Sequence, residues 1–405
     1  MPVRITRTSA VKFGAGGLAA GFAVMQFGVI SPATASPKAP PSTSPAATYQ
    51  VTPIFSPTGL KTDQGYPLTK PDDLVWFDSH LFVAFQNGVT ATGGPASNGN
   101  NESSVVELTS TGHLVRQWDL TSKVDGLGVD PAIHSLVATV DEDGNSSLYT
   151  IDPSSPDGGF THYCYNLNPL PHGAGTDSVA YYQGRLIITA SAPSPSPANV
   201  PAVYAATLEP GVHPTNCPSG GAPASGTAVL TNGFSDTAPA IPADKGAPST
   251  LALTDPDSSM VVPSSVPRFG GSFLLDSQGD AQQVYTRDPV GGAGLSVLQL
   301  SQSVDNTAFA TSRNGTLYVT DPTANRVDRV TGPFQPGQAF VAVTPCDNNN
   351  APSTCPAPPA WPANYLGQLN LWTGQVSNVS TAVNPVGMIF VGGRSGGDDG
   401  GLSEG

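Results

Sequence analysis

The chain has 405 residues, with 16 basic against 30 acidic side chains, a formal net charge of −14, 45 glycines and 41 prolines. That acidity excludes nucleic acid and anionic membrane as partners, since neither is attracted to a negative surface. The low charged content (11%) and the wealth of Gly and Pro exclude a fold of long helices.

Arg4, Arg7 and Lys12 open a basic start, followed by an apolar stretch from Phe13 to Ile30 and the small-x-small sequence Ala33-Thr34-Ala35. This pattern predicts an export signal over residues 1–35, with Ser36 as the mature N-terminus and a secreted, extracellular or cell-wall product. A retained membrane anchor is the alternative, because the stretch is about long enough to span a bilayer. Gly14, Gly16, Gly17, Gly21 and Gly28 dilute it, however. Loss of the three basic residues of the leader leaves 13 basic against 30 acidic residues, a net charge of −17. Residues 36–47 are Pro, Ser, Ala and Thr, which cannot bury a core and read as a disordered linker. The Gly- and Asp-rich tail 392–405 reads the same way, which leaves one domain over 48–391.

Within that domain, runs of Val, Ile, Leu, Tyr, Phe and Thr bounded by Gly, Asp, Asn and Pro predict short strands. They recur in fours. DDLVWFD, HLFVAF, SSVVELTS and HLVRQWDLT form a first unit over Asp72–Thr121, and a second spans Val124–Leu167. A third ends at Gly233, a weaker fourth at Ser301, and a fifth (VDNTAFAT, TLYVTD, RVDRVTG, AFVAVTP) at Pro345. YLGQLNLWTG, QVSNVST and NPVGMIFV supply a sixth, which YQVTPIF (Tyr49–Phe55) can join. Four strands roughly every 40–50 residues predict an all-β propeller of antiparallel four-stranded blades. Six blades are expected, with five or seven as alternatives; a β-sandwich or a pair of sandwiches is the competing architecture. Pro/Ala/Gly-rich insertions interrupt the pattern near 192–200 and 209–256.

Four cysteines (Cys164, Cys217, Cys346, Cys355) in an exported chain suggest two disulfides, with three possible connectivities. Cys346–Cys355, closing a short loop, together with Cys164–Cys217 is the favoured pairing.

Asp73, Asp125, Asp177 and Asp305 each open a first strand of a unit. Equivalent loops of successive blades share a face, so these carboxylates are expected at one mouth of a central channel. There they could hold a hard cation such as Ca²⁺, or each could cap its own turn. Asp141, Asp143 and Asn145 alternate oxygen ligands as a calcium loop does, with Ser147 and Asp152 continuing the series. A solvated hairpin is the competing reading, because Ser146 stands where the calcium loop has Gly. His172, just before Asp177, is the candidate acid/base or ligand near the same mouth. No nucleophile elbow and no nucleotide-binding glycine pattern occurs. Trp76, Trp118, Trp361 and Trp372 could stack on sugars or pack in the core.

LYVTDPTANRVDRVTG (Leu317–Gly332) resembles the blade repeat of the NHL and regucalcin/gluconolactonase-like six-bladed propellers. KPDDLVWF, DGLGVDP, DEDGNSSLYTID and GTDSVAYYQGRLIITASAP resemble an uncharacterised group of secreted bacterial propeller proteins. The first resemblance implies one axial divalent cation held by Glu, Asp and Asn residues from different blades. This chain carries Asp72-Asp73 where those families have a Glu before Gly-Pro. The expected function is a monomeric binding or interaction module for a small ligand, a polysaccharide or another secreted protein. The alternative is a metal-dependent hydrolase of lactonase type.

Overall fold

The structure, a computed structural model, describes residues 48–155, 159–193, 199–212, 223–244, 246–346 and 362–393. The leader and linker, Cys217, Cys355, Trp361, the tail from 394 and parts of both insertions lie outside the described residues. Contacts divide the chain after Ala46, and all the described residues belong to the second unit. Among them no helix is long and apolar enough to cross a membrane.

The described chain is all-β, with one single-turn 3₁₀ segment at Gln278–Asp280. Its five hydrogen-bonded sheets contain six antiparallel sets of four strands. The first set is Pro71–Phe77, His80–Phe85, Glu102–Thr109 and Leu114–Thr121, each paired to the next. The second (Val124–Asp130 to Phe160–Tyr165) and third (Thr176–Tyr182 to Gly226–Asn232) repeat that meander. They merge into one eight-stranded sheet through a short parallel pairing of Gly226–Ala228 with Tyr163–Tyr165. The fourth runs from Pro256–Val261 to Ser296–Gln299 and is extended by two short strands, Pro239–Pro242 and Ser249–Thr250. The region read as an insertion therefore also builds sheet.

The last two sets are interleaved, which corrects the reading of the fifth and sixth units. Val304–Phe309 pairs not with the next strand in sequence but with Ala339–Val343, followed by Tyr365–Leu369 and Val376–Ser380. Thr316–Asp321 and Arg326–Thr331 instead pair with Met388–Val391 on one side and Gln50–Phe55 on the other. The YLGQLNL and QVSNVS strands thus belong to the fifth set. The chain returns from sixth set to fifth through Phe334, which is buried against the rings of Tyr49, Phe340 and Phe390 at 5.4, 5.4 and 5.0 Å. Filling this space with aromatic rings ties both termini of the domain to the crossing.

Core packing follows the period-2 alternation of the strands. Six buried apolar clusters form, each shared by two successive sets. Phe82 and Val105 meet Leu136 and Ala138 between first and second, and Ile187 meets Phe273 and Leu275 between third and fourth. Leu81, Val83 and Val106 meet Tyr318 and Val327 between first and sixth. Each of the Val, Leu, Ile and Phe side chains among them contributes about 1.5–3 kcal/mol on burial. The first strands of the six sets lie side by side in chain order, and Met388–Val391 lies against Pro71–Phe77.

Cys164 and Cys346 are not free thiols. Their expected partners, Cys217 and Cys355, are outside the described residues.

Candidate functional site

The starts of the six first strands share one local geometry. In five of them a bulge sets two residues opposite one on the second strand, between Pro71 and Leu74, Val124 and Leu127, Thr176 and Val179, Pro256 and Ser259, and Val304 and Thr307. The first bulged residue is Asp72, Asp125, Asp177, Asp257 or Asp305. Pairing of Met388 with Val319 puts Val386 at the sixth equivalent position. A bulge re-aims the side chain it carries, and these six residues line one cavity of about 200 Å³.

Adjacent strand starts approach closely. A Cβ on Gly126 would fall 2.5 Å from the Asp177 carbonyl oxygen, and one on Gly387 2.3 Å from that of Asp72. Second-strand threonines exploit this approach. The hydroxyl of Thr139 donates to the Asp177 carbonyl, that of Thr189 to Asp257 at 3.4 Å and that of Thr320 to Asp72 at 2.5 Å. Asp73 makes the corresponding link from first set to second by accepting the Leu127 amide at 2.8 Å, and it also accepts the Leu74 amide at 2.9 Å. So Asp73 borders the cavity with both oxygens engaged by backbone, and Asp72 occupies the register shared with Asp125, Asp177 and Asp305. Burial first, eased by those two amides, raises the Asp73 carboxyl to about 6.

Of the other cavity residues, Lys123, Gln86 and Glu142 come from loops at the same end of the strands, and Ser178, Ser258 and Asn306 are the second bulged residues of their strands. Lys123 precedes the second set, and its ammonium contacts Asp125 Oδ1 at 2.6 Å and Glu142. Gln86 donates to Asp72 Oδ2 at 2.8 Å and to Asp125 Oδ1 at 3.3 Å. Gln278, Ser178, Ser258 and Asn306 complete the polar wall, and Val386 and Gly387 form the less polar part. Lys123 is the one Lys or Arg among the cavity-lining residues described.

Burial dominates the electrostatics. It pushes the carboxyls of Asp72, Asp125, Asp177 and Asp257 well above the usual range, and neighbouring carboxylates push them further. Lys123 opposes the rise at Asp72, Asp125 and Asp177. Burial works against the Lys123 ammonium too, but Asp125, Glu142 and Asp72 outweigh it and hold the charge firmly. Two acceptors on cavity residues, Asp257 Oδ2 and Asn306 Oδ1, are buried and accept no hydrogen bond.

The DEDGN segment does not converge as a calcium loop. Asp141, with φ +65°, accepts the Lys123 amide at 2.9 Å and so ties its turn to the loop that precedes the first strand of its own set. Burial raises its carboxyl to about 7 despite that bond. Asp143 is exposed, and Asn145 turns its amide N–H₂ to the Thr92 carbonyl. The member of this segment that reaches the cavity is Glu142, which the ligand spacing passed over. His172 is not among the cavity-lining residues. It leans on Tyr204 with ring centroids 6.0 Å apart, and burial lowers its pKa to about 4. Among the described residues no three His, Cys, Asp or Glu side chains are grouped so as to hold a metal ion.

Trp118 packs in the core and Trp76 stacks on Tyr318. Trp372 is 65% exposed above the Arg268 guanidinium.

No protein-family model and no curated protein matches the chain. Solved structures with a slight likeness include a protein of unknown function from Bacteroides thetaiotaomicron (9% identity, 84% of this chain and 66% of that one, TM-score 0.40). Another is a protein of unknown function from Bacteroides caccae (11%, 80% and 89%, TM-score 0.40), and a third is AztD from Citrobacter koseri (13%, 82% and 92%, TM-score 0.35). The fold class, all-β with several sheets, rests on the strands themselves.

Proposed function

We propose that the domain is a six-bladed propeller acting as a binding module, with a small cationic ligand held in the acidic cavity on its axis. The propeller reading is supported by the cyclic contact order of the six first strands and by the six clusters shared between successive sets. The observation that carries the ligand reading is the repeated register: five aspartates at one bulge position, delivered to one cavity. Carboxylates that only capped turns would not need to share a cavity with a glutamate and a lysine. Such a concentration of negative charge in a low-dielectric site attracts cations. The cavity has room for a small molecule, so a polysaccharide or protein partner would have to be met elsewhere on the surface. No specific observation favours a hydrolase over this reading.

The test is equilibrium dialysis of the folded protein at low salt against calcium, magnesium, ammonium and short amines, beside acetate and glycerol. Retention of at least one cation, abolished in the double variant Asp177→Asn/Asp305→Asn, is the expected result. A protein that retains no cation, or retains acetate as well, overturns the reading.

Export of the chain, with cleavage before Ser36 and the disulfides Cys346–Cys355 and Cys164–Cys217, belongs to the same proposal. N-terminal sequencing and non-reducing peptide mapping of secreted material test both.

A further inference from the structure

Trp372 is the most exposed of the large apolar side chains described, with 65% of its surface open. Its position is nevertheless fixed. The ring rests on the Arg268 guanidinium, 4.9 Å from its centroid, and Arg268 donates to the carbonyls of Leu371 and Ala243 while lying over Phe269 at 4.6 Å. Phe269 in turn stacks on the buried ring of Tyr285 at 3.7 Å. The turn is tied down as well. Asn370 Oδ1 accepts the Trp372 amide at 2.9 Å, and the Gly374 carbonyl accepts the Ser301 amide, just after the fourth set, at 2.9 Å. A ring held in water by packing beneath it loses little freedom when a ligand covers it, and Trp is favoured at such anchors.

The surroundings of the ring point to the chemistry of that ligand. The chain has a net charge of −14, yet it carries no Asp, Glu, Lys, Arg or His from Pro362 to Gly393, nor from Pro289 to Val304, which includes Ser301. Arg268, the charged side chain that the ring touches, is already engaged by two carbonyls. A charged ligand finds no counter-charge here. Beside Trp372 in the same turn stand Asn370, Thr373 and Gln375, all exposed. The N–H₂ of Asn370 and the side-chain amide of Gln375 make no hydrogen bond among the described residues, so the rim offers donors and an acceptor together. A protein anchored on this Trp would need an apolar patch several residues wide, and the turn supplies amides and hydroxyls instead. The pyranose ring of a neutral glycan matches both features. Its C–H face can lie on an indole, and its rim hydroxyls both donate and accept.

We infer that Trp372 is a stacking platform for a neutral pyranose glycan, with Asn370, Thr373 and Gln375 bonding the hydroxyls of the sugar that covers it. Trp372 is not among the cavity-lining residues, so this surface binds its sugar whether or not the cavity holds a cation.

Isothermal titration of the folded protein with cellohexaose, acetylated chitohexaose and mannohexaose tests this, beside inulin, which is neutral but built of furanose rings. At least one pyranose oligosaccharide should bind, equally at low and high salt, because contacts between neutral groups are not screened. Inulin should not bind. Trp372→Ala should weaken the bound sugar by about tenfold or more, Trp372→Tyr, which keeps a ring, by less, and Gln375→Ala should weaken it with the ring in place. Melting curves establish that each variant folds, and either alanine variant that folds suffices. The cavity variant Asp177→Asn/Asp305→Asn should bind the sugar as wild type does. Failure of all three pyranose sugars to bind, equal binding of inulin, affinity lost at high salt, or affinity unchanged in a folded alanine variant overturns the inference. Sugar binding lost in the cavity variant overturns it too, by moving the site to the cavity. None of these outcomes bears on cation retention, which is read separately by dialysis.

Discussion

The two sides of the cavity are built from one repeat position and reach different ends. On one side Asp72 and Asp125 are met by Gln86 and by the Lys123 ammonium, which also holds Glu142. On the other, Asp257 keeps one buried oxygen without a donor, and its nearest charges are Asp305 and Asp177. A buried carboxylate with a counter-charge is a structural element, whereas one facing like charges is a cost to the fold that a bound cation can remove. The difference teaches that a repeated residue takes its role from what the connecting loop brings to it. Here the loop before the second set brings a lysine.

The comparison breaks most sharply at Lys123. Lys123→Met should leave Asp125 and Glu142 without their counter-charge and cost about 3–5 kcal/mol, read as a lowered midpoint in urea. A midpoint within error of wild type would mean that the paired side is no more structural than the open one.

Second in size is the effect of pH. Asp73 at about 6, Asp141 at about 7, and Asp72, Asp125, Asp177 and Asp257 well above the usual range are all raised in the folded state. The folded protein therefore binds more protons than the unfolded chain above about pH 4. Stability contributed by these groups is complete below that pH and is lost as pH climbs through their folded values. The melting temperature should fall between pH 4 and pH 8, by roughly 5 °C or more. A flat or rising profile over that window, in scanning calorimetry, would show that the carboxylates are solvated or paired.

Thr139→Val removes the hydroxyl that joins the second set to the Asp177 carbonyl and leaves that acceptor buried. The expected cost is about 1–2 kcal/mol, with the same loss at Thr320, which serves Asp72. The smallest effect, and the one of opposite sign, is expected at Asp257→Asn. Removing one of several repelling charges should stabilise the ligand-free fold by about 1 kcal/mol, whereas Asp125→Asn should destabilise it. If both substitutions moved the melting temperature the same way, the two sides would be equivalent.

Much of this was legible in the strand pattern. Period-2 runs and turn residues located most of the strands, and YQVTPIF was legible as a strand of the last unit, where it does share a sheet with Met388–Val391. The aspartates at strand starts were legible as a shared position, and Asp125, Asp177 and Asp305 do line the cavity. Asp73, expected in the shared position, also lines the cavity, but the bulge register gives that position to Asp72 and leaves Asp73 one residue beyond it. Asp257 was missed because it directly follows the Pro/Ala/Gly-rich stretch 209–256, which was set apart as an insertion in the strand pattern. Lys123, Glu142 and Gln86 lie in loops, where no periodicity announces a shared destination. The interleaving of the last two sets was hidden for a different reason. Alternation says that a segment is a strand and which face it buries, but not which of two adjacent edges it joins.

The strand Gln50–Phe55 is paired only with Arg326–Thr331, synthesised about 270 residues later. At about 5–20 residues per second, translation leaves it without its partner for on the order of 15–50 s. Throughout that interval Gln50–Phe55 is an unpaired edge, and Met388–Val391, the last of the described strands, later joins the far side of the sheet that receives it. Closure of the domain is therefore a late event joining the oldest and youngest parts of the chain. An unpaired edge of that duration is the point at which a second copy could intrude, so crowded synthesis should favour exchange of this one strand between neighbouring chains.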